Sequence, residues 1–254
     1  MMQTRTGWTP QEHTQSRRAR HRGVIVVAIL ATAVLVTASP AAAETMIQLR
    51  YWPNTTTIGG DMTGGWQTAA VGVTLRRSLT PDWALSFEGD WGSQSNWSGN
   101  WLGGTSGSDA YWSLNLHRTW GTHSSTFSLF AGYMQMRSGT VFPASPLQQT
   151  FRATGFRLGA DYQWRLSHNW SLMLMGAVGV GLNGENSWPG VLPTETTSAQ
   201  YYEYSVSVSY AFAADWSLDL GYRGMYSAGG ASPNYMSFTA TSTGFVFGVT
   251  RMMP

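Results

Sequence analysis

Apolar and polar residues alternate one by one along most of the chain beyond its first 43 residues. In 200–212, the even-numbered residues from Tyr202 to Phe212 are aromatic or valine, whereas three of the six odd-numbered residues from Tyr201 to Ala211 are serine. Since successive side chains of a β-strand point to opposite faces, this period of two predicts strands with one apolar face. Ten such segments are predicted, at 45–56, 66–77, 83–95, 108–119, 125–140, 150–165, 170–185, 199–212, 216–228 and 236–251.

The connections between these segments alternate between short and long. The short ones are 78–82, 120–124, 166–169 and 213–215, and the long ones include 92–104, 141–149 and 186–198. An antiparallel meander whose two ends differ in loop length is typical of barrels that cross a bacterial outer membrane. We therefore predict an all-β, antiparallel up-and-down barrel of about ten strands, with eight to twelve strands compatible with the pattern.

Alternation also occurs in secreted β-sandwiches. The length of the strands and the residue types on their polar face distinguish a membrane barrel from a sandwich. The segments run about 11–16 residues, whereas strands of soluble proteins average about 5–6 and a tilted membrane strand needs about 9–11. Their polar faces carry Ser, Gly and Ala with spaced charges. In the seventh segment, Leu182 falls on the apolar face and Glu185 on the polar face. Small inward residues suit the crowded interior of a small barrel, which favours the membrane fold.

Aromatic residues recur at the ends of the predicted strands. Each of three short turns is followed by a tryptophan and then by a leucine two positions on. Aromatic residues on the same strand face lie eight to ten positions apart, which is roughly 20–26 Å along the membrane normal for a tilted strand. Tryptophan and tyrosine favour the membrane interface. The predicted interface anchors are Trp83, Trp91, Trp170, Tyr202, Trp216 and Tyr226.

The first 43 residues have the order of a secretory signal peptide. A basic stretch at 16–23 precedes an uncharged apolar run at 24–38, and Ala41 and Ala43 supply the small residues of a cleavage site. A membrane anchor is the alternative, but a run of about 15 residues is shorter than the ~20 that a spanning helix needs. We predict cleavage before Glu44, and a single barrel domain over 44–254.

Charge and cysteine content exclude several classes of function. Five of the fifteen arginines precede residue 44, and the remaining chain has ten arginines, no lysine and twelve acidic residues. No basic patch remains for nucleic acid. The chain has no cysteine, so disulfides and thiolate metal sites are excluded.

The leader with SPAAA, the turn-tryptophan units at Trp83, Trp170 and Trp216, and the final segment 244–252 together resemble a known family. It is the broad superfamily of small Gram-negative outer-membrane barrels that includes OmpA-like and opacity-protein-like proteins. The resemblance implies a place in the bacterial outer membrane, with outer-membrane lipid, the export apparatus and the barrel-insertion machinery as partners. Family members commonly end on an aromatic residue, whereas this chain ends in RMMP.

The predicted inward faces carry a set of charged residues of both signs. We predict that they form a balanced network that fills a narrow lumen; the alternative is a narrow path for a small solute or an ion, since water-filled channels need about sixteen strands. Two pairs, Arg157 with Asp161 and Asp219 with Arg223, lie four apart on one face. The network is predicted to contain Arg50, Glu88, Asp90, Arg157, Asp161, Glu203, Asp219 and Arg223.

No catalytic residue, metal site or cofactor is predicted. The histidines His117, His123 and His168 all fall at or beside short turns, away from the acidic residues expected near the outer loops, Asp61, Asp109, Glu185 and Glu195. The predicted role is structural or that of a narrow passive pore. The alternatives are a lipid- or peptide-processing enzyme, and an adhesin or receptor that uses outer-loop residues such as the two tryptophans of 96–101.

Overall fold

A closed antiparallel barrel of ten strands is formed by residues 44–61, 63–99, 106–122, 124–142 and 145–254, which are the residues that the computed structural model describes. The predicted fold class is confirmed, and every predicted segment contains a strand. No helix within these ranges is long and apolar enough to cross a membrane. The strands are β1 (Thr45–Gly60), β2 (Gly64–Ser78), β3 (Trp83–Gly99), β4 (Ser106–Gly121), β5 (Ser125–Phe142), β6 (Ser145–Arg165), β7 (Trp170–Trp188), β8 (Leu192–Ala213), β9 (Trp216–Gly229) and β10 (Phe238–Met253).

The first and last strands close the barrel. Thr45 is aligned with Met253 on β10 and with Arg77 on β2, so β1 is paired along both of its edges. Every other strand pairs with its two neighbours around the barrel. Closure leaves no open sheet edge, which is the condition for a sheet to lie in hydrocarbon, where unpaired backbone groups cannot bond to water.

The strands extend further at one end of the barrel than the sequence predicts. The sequence pattern predicts a long loop over 186–198, but β7 continues to Trp188 and β8 begins at Leu192, and these two residues are aligned. Continued pairing gives the backbone N–H and C=O groups partners that a loop would not supply. The prediction of long loops is therefore wrong here, and Glu185 and Glu195 lie on strands.

The outward face is apolar over most of the barrel. On three adjacent strands, Val208 is aligned with Leu220 and Leu220 with Phe247. Large apolar side chains elsewhere on this face are also exposed, among them Leu49, Val71, Leu116, Leu129, Leu158 and Leu174. Such a continuous exposed apolar surface is unfavourable in water and marks a surface that another apolar phase covers.

Three of the six predicted anchors lie at the short-turn end of the strands, and the other three lie farther along their strands. Trp83, Trp170 and Trp216 are the first residues of β3, β7 and β9, directly after short turns, and their rings are exposed. The Trp170 ring centroid lies 4.8 Å from that of Tyr210 on the adjacent strand. Of the other three, Trp91 is half-buried, and the ring centroids of Tyr202 and Tyr226 lie 5.7 Å apart.

A β-bulge in β7 reverses the predicted orientation of Leu182. The pairing register of β7 shifts between Val178 and Asn183, and Gly181 within this stretch has a φ of 61°. The extra residue turns the following side chains to the other face. Leu182 is therefore buried in the lumen and Glu185 faces outward, opposite to the strict alternation that the sequence predicts.

We expect a charge on the outward face to destabilise the barrel in a depth-dependent way. Leu220 is 53% exposed near the middle of β9, and an arginine at the midplane of a bilayer costs about 2–4 kcal/mol. Leu220→Arg should lower the free energy of unfolding in phospholipid vesicles by that amount, measured by urea titration of tryptophan fluorescence. Thr196→Arg, on the far extension of β8, is the matched control and should change it by less than about 1 kcal/mol. Equal losses would contradict a membrane-embedded surface at Leu220.

Candidate functional site

The lumen is crossed by a ring of six charged side chains that alternate in sign. Arg50 of β1 donates two hydrogen bonds to Asp90 of β3, from Nε to Oδ1 and from Nη2 to Oδ2, both at 2.8 Å. Its Nη1 lies 3.3 Å from Glu88 Oε1. The other carboxylate oxygen of Glu88 accepts a hydrogen bond of 3.0 Å from Nη1 of Arg157 on β6.

The ring continues through β8 and β9. Arg157 Nη2 donates to Glu203 Oε2 at 2.6 Å, and Glu203 Oε1 accepts a bond of 2.8 Å from Arg223 Nε. Arg223 Nη1 then donates to Asp90 Oδ2 at 2.8 Å, which completes the circuit. Each arginine contacts two carboxylates and each carboxylate contacts two arginines. This alternation offsets the cost of removing six charges from water.

A glycine on β2, Gly72, leaves space for two side chains of the ring. A Cβ atom at Gly72 would lie 2.0 Å from Asp90 Oδ1 and 2.8 Å from Arg50 Nε, so a side chain at this position would displace the bidentate pair. Arg157, Glu203 and Arg223 are each at most 3% exposed. The ring is therefore part of the interior and is held in one arrangement by its surroundings.

A hydrophobic plug lies on the side of the ring away from the short turns. The rings of Tyr111 and Tyr201 are nearly parallel, with centroids 5.9 Å apart, and they pack with Met134 and Leu182. The Tyr201 hydroxyl donates to Glu203 Oε2 at 2.6 Å, which ties the plug to the ring. These side chains fill the lumen above the ring and leave no space for a solvated channel in the part of the lumen that they occupy.

A second polar cluster lies beyond the plug. Asp109 Oδ2 accepts hydrogen bonds from Trp66 Nε1 at 3.2 Å and Thr68 Oγ1 at 3.0 Å, and its Oδ1 accepts one from Gln94 Nε2 at 2.7 Å. The sequence predicts Asp109 near an outer loop, but it lies on β4 and points into the lumen. The predicted segment 108–119 contains Asp109, but the pattern does not reveal its partners, because Trp66, Thr68 and Gln94 lie on other strands.

A cavity of about 700 Å³ lies on the other side of the ring. It extends from the ring to the short turns, where Thr80, His168 and Asp215 line it. Four residues of the ring form its inner wall, whereas the plug residues do not border it; these four are Arg50, Glu88, Arg157 and Arg223. The lumen is thus divided into a filled half and a half that holds a polar cavity.

Asp161 lies in the lumen, as the predicted network requires, but it does not join the ring. Its Oδ2 lies 3.5 Å from Nδ1 of His117, whose Nε2 lies 2.8 Å from Ser86 Oγ. Asp161 lines the cavity below the ring, nearer the short turns. Its predicted partner on the same strand, Arg157, instead bonds to Glu88 and Glu203 in the ring.

Asp219 also lies outside the ring and on the wall of the cavity. Its Oδ2 accepts a hydrogen bond of 3.0 Å from Gln48 Nε2 and one of 2.5 Å from Thr250 Oγ1. Its Oδ1 accepts a shorter one from Ser209. Neutral polar groups therefore supply the hydrogen bonds of this carboxylate. Arg223, which lies four residues further along β9, donates to Glu203 and Asp90 and not to Asp219.

Several residues of the site could not be recognised from the sequence. Arg76 follows an apolar stretch and precedes a turn, yet its Nη1 lies 3.9 Å from Asp161 Oδ1 inside the lumen. The inward register of Tyr111 and Tyr201 was the available signal for the plug, since a large aromatic residue among inward Ser and Gly residues predicts a constriction.

His123, one of the three histidines near the turns, lies outside the described residues. Among the described residues, no group of three or more His, Cys, Asp or Glu residues could hold a metal ion.

Comparison with known proteins gives a likeness of fold. No protein-family model matches the chain, and no curated protein matches its sequence. The outer-membrane protease OmpT from Escherichia coli matches with a TM-score of 0.57 at 12% identity, over 86% of this chain and 100% of OmpT. The translocator domain of the autotransporter NalP from Neisseria meningitidis gives 0.44 at 11% identity, over 94% of this chain and 97% of that domain. The attachment invasion locus protein Ail of Yersinia pestis gives 0.36 at 9%, over 83% of this chain and 99% of Ail.

At this identity the likeness to OmpT shows a shared fold and nothing about chemistry. A closed up-and-down barrel with an apolar outer surface and a polar, charged interior is the architecture of integral outer-membrane proteins of Gram-negative bacteria. The chain therefore has the fold of an integral outer-membrane β-barrel protein.

We expect the buried and exposed glutamates to differ sharply in their contribution to stability. Glu203→Gln removes the charge that faces both Arg157 and Arg223, and breaking a buried ion pair costs about 3–5 kcal/mol. Glu185→Gln is the control, because Glu185 pairs with Arg152 at 2.9 Å on the exposed surface, where such a pair contributes at most about 1 kcal/mol. Urea unfolding of both variants in lipid vesicles measures the difference. A loss below about 1 kcal/mol for Glu203→Gln would contradict the importance of the ring for stability.

Proposed function

We propose that the protein is an outer-membrane barrel whose lumen is closed to passage and is accessible only from the end that carries the short turns. The observation that carries this proposal is the charged ring, which joins side chains from β1, β3, β6, β8 and β9 across the lumen. A solute that crossed the barrel would have to separate at least one buried ion pair. The role is therefore structural, with a one-sided cavity.

The hydrophobic plug supports the same conclusion. Water and ions avoid a constriction lined by apolar groups, and Met134 and Tyr201 are almost completely buried in it. The ring below and the plug above are in contact through Tyr201 and Glu203. A narrow passive pore for a small solute or an ion, the alternative role, would require both barriers to move together.

The geometry gives less support to an adhesin that uses exposed tryptophan. The Trp97 ring is stacked on Trp66 with centroids 4.5 Å apart, so one of its faces is covered within the barrel's own surface. Trp101, the second tryptophan of that segment, lies outside the described residues. The protease activity named for OmpT is not proposed for this chain, because the likeness is one of fold.

The orientation of the barrel in the membrane follows from the same features. Short turns face the periplasm in outer-membrane barrels, so the cavity opens toward the periplasm. Outer-membrane lipid covers the apolar belt, and the export and barrel-insertion machineries are the partners during assembly. The inner interface is anchored by Trp83, Trp170 and Trp216, and the outer one by Trp91, Tyr202 and Tyr226.

Single-channel recording tests the closed lumen directly. We expect no conductance above that of the bare bilayer for the natural chain, because the ring and the plug fill the cross-section. A variant in which Tyr111, Arg157 and Tyr201 are all replaced by alanine should conduct. Tyr202→Ala is the control, since this tyrosine lies on the same strand as Tyr201 but faces outward. Stable conductance steps from the natural protein would overturn the proposal.

The proposed export route makes a separate prediction about residues 1–43, which lie outside the described residues. Mature protein from outer-membrane fractions should begin at Glu44, as read by N-terminal sequencing. Ala43→Arg should block cleavage, because signal peptidase requires small residues at this position. Ala42→Arg is the control, since the middle residue of an A-x-A site is not restricted in this way, and this variant should be cleaved normally. An uncleaved natural chain in the outer membrane would contradict the proposed signal peptide.

A further inference from the structure

A serine, a histidine and an aspartate form a chain of contacts on the wall of the cavity. Ser86 Oγ lies 2.8 Å from His117 Nε2, and His117 Nδ1 lies 3.5 Å from Asp161 Oδ2. The three side chains come from β3, β4 and β6. All three line the cavity that reaches the short turns, and none is used by the ring or by the plug.

We propose that Ser86 and His117 are the nucleophile and the general base of an ester-hydrolysing site, with Asp161 as the residue that positions the histidine. A serine hydroxyl is a weak nucleophile until an adjacent base accepts its proton, and an imidazole needs a partner on its second nitrogen to present the correct tautomer. The 2.8 Å contact between Ser86 and His117 meets the first requirement, and the Asp161 carboxylate, 3.5 Å from Nδ1, is the group that would meet the second on a small shift of the ring.

The barrel holds the three residues at this spacing through strand register. Ser86 is aligned with Asn115 on β4, so His117 is its diagonal neighbour on the inward face. Asp161 reaches His117 across β5, where its aligned residue is Ser128, whose short side chain leaves the space between them open. Side chains on paired strands are fixed more precisely than side chains on loops.

Two neighbouring groups complete the site. Arg76 Nη1 lies 3.9 Å from Asp161 Oδ1, and its Nη2 donates hydrogen bonds to Thr119 and Ser128, so a cation lies beside the carboxylate. Asn115 Nδ2 lies 3.5 Å from Ser86 Oγ and supplies an amide donor next to the attacking oxygen. The same amide nitrogen donates a hydrogen bond of 3.0 Å to Ser113 Oγ.

The reaction is balanced without a cofactor. Ser86 Oγ forms a bond to the acyl carbon while its proton passes to His117 Nε2. The C–O bond to the leaving alcohol then breaks, and the alcohol departs with that proton. Water attacks the acyl-serine, gives a proton to His117, and releases the carboxylic acid as the proton returns to Ser86 Oγ. No group is oxidised or reduced, and water is the only co-reactant.

The substrate class follows from the shape and location of the cavity. A cavity of about 700 Å³ accepts a small ester, and both polar and apolar side chains line it. Ser86 lies three residues beyond Trp83, which is about 10 Å along the strand from the short-turn end. The site therefore takes small, water-soluble acyl esters that enter from the periplasmic side, an entry route that rests on the proposed orientation of the barrel.

Covalent labelling in proteoliposomes tests the proposal. A short-chain alkyl fluorophosphonate should form an adduct with the natural protein that peptide mass spectrometry locates at Ser86. Ser86→Ala should abolish labelling, and His117→Gln should slow it by about 100-fold or more, the contribution expected of a general base. Asp161→Asn should lower the maximal labelling rate and leave the half-saturating probe concentration unchanged, as expected of a positioning residue.

Ser207→Ala is the matched control. Ser207 lines the same cavity, but within the described part of the chain it makes no hydrogen bond to a histidine, so its loss should leave labelling unchanged. Heat-modifiable migration on gels reports folding for each variant. If Ser86→Ala fails to fold, the position of the adduct on the natural chain still shows whether Ser86 is the nucleophile. No adduct on the natural protein, or an adduct at another residue, overturns the proposal, and neither result bears on the closed lumen that conductance measures.

Discussion

Every feature of this protein depends on the closure of the sheet between β1 and β10. A bilayer offers no hydrogen-bonding partner to the peptide group, so a sheet can lie there only when both edges of every strand are paired. Strand β1 meets this condition, because it pairs with β10 along one edge and with β2 along the other. Closure also fixes which side chains point inward, and thereby creates the narrow interior in which the ring, the plug and the cavity are formed.

The charges of the interior are satisfied in a closed circuit. Three arginines and three carboxylates alternate around the lumen, so no charge lacks an opposite neighbour and the ring has no net charge. The ring separates a lumen half filled by Tyr111 and Tyr201 from a half that holds water-accessible polar groups. Ser86 and His117 lie in the second half, where a molecule that enters between the short turns could reach them.

The fold could be predicted from the sequence because alternation is a local property that both lipid and lumen impose on every strand. Arg50 and Glu203 could be placed inside by the same rule. The partners of these two residues could not be predicted, because they depend on the shear of the barrel, which decides which residues of distant strands lie at the same height. The outward prediction for Leu182 is wrong because one extra residue in β7 resets the alternation. The contact of His117 with Asp161 could not be predicted either, since Asp161 lies two strands away and is brought near only by the curvature of the barrel.

The residues that pair in the ring lie far apart in the chain, which affects when the ring can form. Asp90 and Arg223 are separated by 133 positions, and Arg157 and Glu88 by 69. Contacts between such distant segments form late, because the loop between them must be closed first. The ring is therefore completed only after β9 is in place. A hairpin lost or gained between β3 and β9 would leave unmatched charges in the interior, so the number of strands and the charge pattern constrain one another.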